Sequence, residues 1–237
     1  MRRVFQLVAL GAVLTFTAAA DNIVMTAESF QNQEEVLNYF SGRTGSLGSG
    51  PGPADGVTFT SNFTAFLSAD DGGIGTFAGN PNGDMAFTFV ANSQAAVMDV
   101  PLGFTTGLAF EYAELSTPES IYIYSGIAGT GTLLATLALP VTGNGFTSGN
   151  PACQNSSDDQ FCPFTAIGVD FAGTAESVVF TETEGQVALD ALTLGSDVPG
   201  VSEPGALKML GLGLACLLVA SRRLRKLQQN TGQRLQS

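Results

Sequence analysis

The chain has 237 residues, with 21 acidic against 9 basic side chains and neither histidine nor tryptophan. Without histidine there is no Ser-His-Asp or Cys-His nucleophile and no histidine-based zinc site, and any aromatic platform for sugars falls to four Tyr and 17 Phe. All the acids lie between Asp21 and Glu203, where Arg43 is the one basic residue, and this net −20 argues against nucleic acid or anionic lipid as a partner.

The N-terminus, "MRRVFQLVALGAVLTFTAAADN", places Arg2 and Arg3 before an apolar run from Val4 to Thr17. Ala18-Ala19-Ala20 then offers the small-x-small pattern that signal peptidase accepts. Cleavage between Ala20 and Asp21 is expected, so residues 1–20 read as a signal peptide. An uncleaved membrane helix is the weaker reading, because the apolar run is short.

Residues 21–197 read as one exported domain. "ESFQNQEEVLNYF" (Glu28–Phe40) suggests a short helix over an open end of the fold. "SGRTGSLGSGPGPADG" (Ser41–Gly56) reads as a flexible loop; no Gly-Lys-Ser/Thr follows it, so it is not a phosphate cradle. Short alternating segments come next: Val57–Thr60, Met85–Ala91, Ala96–Val100, Gly107–Tyr112, Ser120–Ser125, Leu133–Leu139, Ala166–Ala172, Ser177–Glu182 and Gln186–Leu194. Turn signals such as "NPNGD", "AGTGT" and "TGNG" separate them. About nine such strands imply an all-β fold, an antiparallel β-sandwich of jelly-roll type. Its core candidates are Phe87, Phe89, Leu108, Phe110, Ile167, Val169, Phe171, Val178, Phe180, Leu189 and Leu192.

Several side chains within this domain invite a chemical reading. Asp70 and Asp71 ("SADDGGIG") and Asp84 ("PNGDM") set carboxylates beside Gly-rich turns, compatible with a structural Ca²⁺ although the EF-hand spacing is missing. No other cofactor is expected. Asp190, inside "VALDAL", must be paired or bind a cation if it points inward; the outward, polar half of the alternation is the favoured reading. Tyr122 and Tyr124 share one face of "SIYIYS", either as sugar contacts or packed against the sheet. Cys153 and Cys162 frame "CQNSSDDQFC"; in an exported chain a disulfide is expected, with free thiols or a two-Cys metal site as alternatives. Asp158 and Asp159, between those cysteines, read as solvated. Asn62 and Asn155 match the N-x-Ser/Thr pattern, with no reason to assume glycans there. A glycosidase needs two carboxyl groups flanking the bond, and no pair sits in a catalytic phrase, so no catalytic residue is assigned and the chain reads as non-enzymatic.

From Gly205 to Ala220 the sequence turns apolar, interrupted by Lys208, and Arg222, Arg223, Arg225 and Lys226 follow. Sixteen helical residues at ~1.5 Å each cover roughly 24 Å, somewhat short of a ~30 Å hydrocarbon core, with Lys208 extending toward the interface. The positive-inside bias would hold the cations in the cytoplasm. A transmembrane helix over 205–221 and a cytoplasmic tail over 227–237 are therefore expected, with Cys216 a small apolar residue of the helix; a buried core helix with a basic cap is the alternative.

"VSEPGALKMLGLGLACLLVASRRLRK" resembles the PEP-CTERM sorting signal of exported bacterial proteins. Val201, Glu203 and Pro204 match its motif, and Ser202 stands where the motif has its first proline. "GFTTGLAFEY", "IYIYSGIAGTGTLLATLAL", "VDFAGTAESVVF" and "VALDALTLG" are similar to the passenger regions of the same family. The resemblance implies a sorting signal over 198–226, processing by an exosortase near Val201–Pro204, and an inner-membrane-anchored precursor later released to the cell surface or exopolysaccharide. The expected function is a non-enzymatic surface or matrix protein associated with exopolysaccharide or biofilm. The alternatives are a calcium-dependent carbohydrate-binding module, with Tyr122 and Tyr124 as contacts, and then a glycan hydrolase.

Overall fold

A computed structural model describes residues 22–89, 95–115, 118–143, 153, 160–181 and 187–200. Ten strands run in chain order: β1 (Ile23–Met25), β2 (Glu34–Glu35), β3 (Thr58–Phe59), β4 (Phe63–Leu67), β5 (Met85–Phe89), β6 (Ala96–Glu114), β7 (Glu119–Gly126), β8 (Thr130–Leu139), β9 (Thr165–Thr181) and β10 (Val187–Leu194). Every strand pairing is antiparallel, in the order β2-β4-β5-β10-β6-β9-β7-β8, with β1 added to β10 and β3 to β6.

Two long strands, β6 and β9, pair with each other from Ala96↔Phe180 to Tyr112↔Thr165 and carry this ladder through both layers of a sandwich. The sequence pattern divides each into two strands because both are interrupted. Between Asp99 and Phe104 the register of β6 slips, Pro101 and Leu102 are pushed into solvent, and Gly103 takes φ +73°. Gly173 of β9, at φ +99°, sits between its two apolar stretches. Such bulges bend a strand without ending it.

The layers meet on phenylalanines. Phe63 of β4, fully buried, lies 4.3 Å from Phe59, 5.1 Å from Phe87, 5.0 Å from Phe89 and 5.7 Å from Phe180 on the facing layer, between ring centroids. Burying one such side chain stabilises by about 1.5–3 kcal/mol, and each aromatic pair adds about 0.5–1.5 kcal/mol. Around them Phe110, Met98, Ile121, Ile123, Val178 and Leu189 complete the core. Ile167, Val169 and Phe171, expected in the core, are half-buried and pack against its margin.

Three expectations are corrected. Glu28–Phe40 forms turns and β2 instead of a helix. Gln33 and Leu37 take φ +65° and +47°, which a right-handed helix does not allow, and the Gln33 and Val36 amides donate to the Ala65 and Phe63 carbonyls. The loop Ser41–Gly56, expected to be flexible, is tied down by the buried Glu34 carboxylate, which accepts from the amides of Gln31, Leu47 and Ser49 and from the Ser49 hydroxyl. The transmembrane helix is the third. Among the described residues the helical segments are the 3₁₀ turns Ala69–Asp71 and Ile127–Gly129, and no helix is long and apolar enough to cross a membrane. The described residues thus form an antiparallel β-sandwich with no membrane-spanning helix among them, and the segment 205–221 expected to form one lies outside them. Residues 201–237 lie outside the described part, as do 1–21.

Candidate functional site

Alternation in β7 divides its side chains cleanly. Ile121 and Ile123 are buried in the core, so Tyr122 and Tyr124 stand on the opposite face, half-buried. Register places neighbours beside them in rows. Val97 of β6, Val179 of β9, Tyr122 and Thr136 of β8 form one row; Asp99, Ser177, Tyr124 and Leu133 form the next. A third contains Thr181, Ser120 and Ala138. Leu133 is 47% exposed, large for a leucine on a strand.

The turn Ile127–Gly129 folds over one end of this face. The Ala128 amide donates to Asp99 Oδ1 at 2.7 Å and the Gly129 amide to Ser177 Oγ at 2.9 Å, while the Ser177 hydroxyl donates to the Gly126 carbonyl. A Cβ on Gly129 would come within 2.7 Å of Val179 Cγ2, so glycine lets the turn lie this close. The turn walls the second row at Asp99 and Ser177 and reaches Val179 of the first. Aromatic faces flanked by hydroxyls suit a polar ligand with apolar C–H faces.

Asp70, Asp71 and Asp84 come together elsewhere. They line a cleft of about 330 Å³ with Ser68, Phe77 and Asn80, and all three carboxylates are exposed. They do not close into a calcium site: among the described residues no group of three or more His, Cys, Asp or Glu side chains could hold a metal ion. Ser68 is already engaged, accepting from the Asp70 amide and donating to the Phe77 carbonyl.

Asp190 departs from its expected exposure. Its position in the alternation is the outer one, yet the residue is fully buried, because the segment around Asn80 crosses over it. Burial pushes its carboxyl up to about 6; the Asn80 side chain and the Ala191 amide pull against that, and Glu28 adds to it. Glu111, its cross-strand partner on β6, is also raised by burial. This buried acid and its amide partner carry no signal that alternation alone could reveal.

Cys153 and Cys162 form the expected disulfide, with Cα atoms 5.7 Å apart. Both cysteines are buried, and Phe161, beside Cys162, bridges back to Phe77. Such a pair is typical of exported chains and stabilises by about 2–3 kcal/mol through loop closure. Asn62, matched in sequence to an N-x-Ser/Thr pattern, is buried. Asn155, Asp158, Asp159, the cleavage residues Ala18, Ala20 and Asp21, the motif Val201–Pro204 and the cations Arg222, Arg223, Arg225 and Lys226 lie outside the described residues.

No protein-family model matches this chain, and no curated protein does. Solved structures similar to it include the K2 cleaved adhesin domain of Lys-gingipain, at 11% identity and TM-score 0.44, covering 74% of this chain and 98% of that one. A second is a carbohydrate-binding module from Cellvibrio mixtus lichenase 5A in complex with cellotriose, at 13% identity and TM-score 0.33, covering 73% and 95%. A third is CsCBM6-3 from Clostridium stercorarium in complex with cellobiose, at 14% identity and TM-score 0.27, covering 57% and 95%.

The resemblance to PEP-CTERM proteins is corrected by these results, since neither a family model nor a curated relative supports it. Its weakness is physical as well: Glu203-Pro204, an apolar run and four cations make a composition that unrelated chain ends share, and Ser202 replaces the motif's first proline. Exosortase as a partner and the inner-membrane-anchored precursor, which rested on that resemblance, fall with it, and nothing among the described residues supports signal-peptidase processing or membrane attachment.

Proposed function

We propose that this protein is a non-enzymatic extracellular module that binds neutral glycans on the outward face of β6, β9, β7 and β8, with Tyr122 and Tyr124 as the anchoring side chains. The observation that carries the reading is the placement of these two tyrosines, two positions apart on one strand, on a face with hydroxyl-bearing neighbours at Ser120, Thr136 and Thr181. Sugar rings present C–H faces to aromatic rings and hydroxyls to polar groups, and the face offers both. A body with 21 carboxylates repels uronic-acid polymers, so the ligand is uncharged. The disulfide supports an oxidising location.

The test is binding to a panel of neutral and uronic-acid oligosaccharides, followed by calorimetry on the best ligand. Tyr122→Ala and Tyr124→Ala should each weaken binding by about tenfold or more, the scale of an aromatic anchor, with circular dichroism unchanged. Wild-type affinity in both variants would overturn the assignment of this face.

A further inference from the structure

The strand order ends at β8. Its ladder to β7 is regular from Ala135 to Leu139, pairing Ile123, Tyr122, Ile121, Ser120 and Glu119 in turn, and no other described strand pairs with its far side. The opposite end of the order is β2, two residues long. Proteins usually protect a long free edge with lysine, glutamate or proline. The β8 sequence, "TGTLLATLAL", has none of them, and six of its ten residues are exposed.

Charge singles out the same stretch. Acidic side chains stud the chain from Asp21 to Glu203, yet between Glu119 and Asp158 there is no charged residue at all. Two copies of this chain repel wherever carboxylates face each other. They can approach closely along the segment that carries none, which contains β7 after Glu119, the turn Ile127–Gly129 and the free edge. Leu133 and Ile127, 47% and 48% exposed, add apolar surface there.

We infer that β8 is a self-association edge: two copies pair antiparallel through their β8 strands about a two-fold axis near Leu137. Such pairing is isologous, since each copy supplies the same strand, and it extends the sheet across both molecules by main-chain hydrogen bonds. Thr136 of one copy then lies opposite Ala138 of the other. The tyrosine faces of the two copies become one continuous surface, so a polymeric ligand could be held at two points. The pairing stands independently of what that face binds.

Sedimentation velocity of the full chain over a hundredfold concentration range tests this, with amide hydrogen exchange at both extremes. Dimer fraction should rise with concentration and rise further, by severalfold in affinity, between roughly 50 and 500 mM salt, because screening removes the repulsion between two acidic bodies. Amides of Ala135–Leu139 should exchange more slowly at high concentration. Ala138→Lys should be monomeric with an unchanged β spectrum, while Tyr122→Ala should still dimerise. A wild-type chain that stays monomeric throughout would overturn the inference, and so would a dimer that survives Ala138→Lys with β8 amides exchanging freely. The exchange measurement on the wild-type chain decides the question without any variant.

Discussion

Asn80 donates its side-chain N–H to Asp190 at 2.9 Å, across 110 positions of sequence, and to the Met85 carbonyl at 2.6 Å. Its own side-chain oxygen accepts from the Asn82 amide at 3.1 Å. One amide thus fastens the segment before β5 to β10 and seals the carboxylate beneath it. Asn80→Ala should leave Asp190 buried with a donor missing and a carbonyl unmatched. A loss of about 1–3 kcal/mol is expected, read as a lower urea midpoint with unchanged slope; an unchanged midpoint would show that the segment is held by something else.

Acidity should act on the same pair. The folded Asp190 carboxyl is raised to about 6 from an ordinary 3.8, so the native state holds its proton more tightly than the unfolded chain. Between about pH 4 and 6 the unfolded state binds fewer protons, and stability therefore falls as pH rises through that window. Glu111, raised by burial, pushes in the same direction. Urea midpoints measured from pH 4 to 8, with a chelator present so that no cation competes for the carboxylate, should decline over this range. Asp190→Asn should flatten most of the decline, and a variant profile that tracks the wild type would rule Asp190 out as its source.

Glu34 has the opposite sign. Burial is the largest influence on its carboxyl and pushes upward, but the Gln31 amide, the Ser49 hydroxyl and amide, and the Leu47 amide together outweigh it and leave the group below its usual 4.5. Its contribution is complete above about pH 4.5 and is lost as pH falls through the lowered value. Glu34→Gln removes the charge that four donors address, at a cost of about 1–3 kcal/mol near pH 6, and should free residues 41–56. Proteolysis at that loop, slow in the wild type, should become fast; equal rates would mean the loop is ordered without Glu34.

Legibility in the sequence followed the kind of interaction. In "MAFTF", "SIYIYS" and "VALDALTL" period two located the strands and put Tyr122 and Tyr124 on a shared face, but β4 (Phe63–Leu67), which carries the central Phe63, is not among the expected strands. Breaks in that period misled: a bulge near Gly103 looks like the end of a strand, because solvent-exposed Pro101 and Leu102 carry turn chemistry. Short elements such as β1 and β2 leave no periodic trace, since pairing with β10 and β4 makes them. Asp190 was unreadable for a different reason: its burial is imposed by Asn80, a contact of very long sequence range. Asp70, Asp71 and Asp84 did reach one cleft, but proximity in a lining is not convergence on an ion.

Beyond β10 the chain doubles back over the sheet. The Gly195 amide donates to the Gly107 carbonyl at 3.0 Å, and the next residues lie so close to β6 and β9 that a Cβ on Gly168 would stand 2.0 Å from the Asp197 carbonyl oxygen and 2.9 Å from Ala109 Cβ. A Cβ on Gly107 would meet the Asp197 amide at 2.7 Å. Both positions need a residue without a side chain because backbone rests directly on backbone. Gly168→Ala cannot be absorbed by a rotamer change; the crossing segment has to lift. The expected cost is about 1–3 kcal/mol, as for other overpacked sites, together with faster amide exchange over residues 195–200. Gly168 pairs with Ala109, in the half of β9 that does not contact β7, so the tyrosine face and the β8 edge should be untouched. Glycan affinity and dimer fraction of Gly168→Ala should therefore match the wild type. Retained protection over 195–200 would show that the segment is not held against these two glycines.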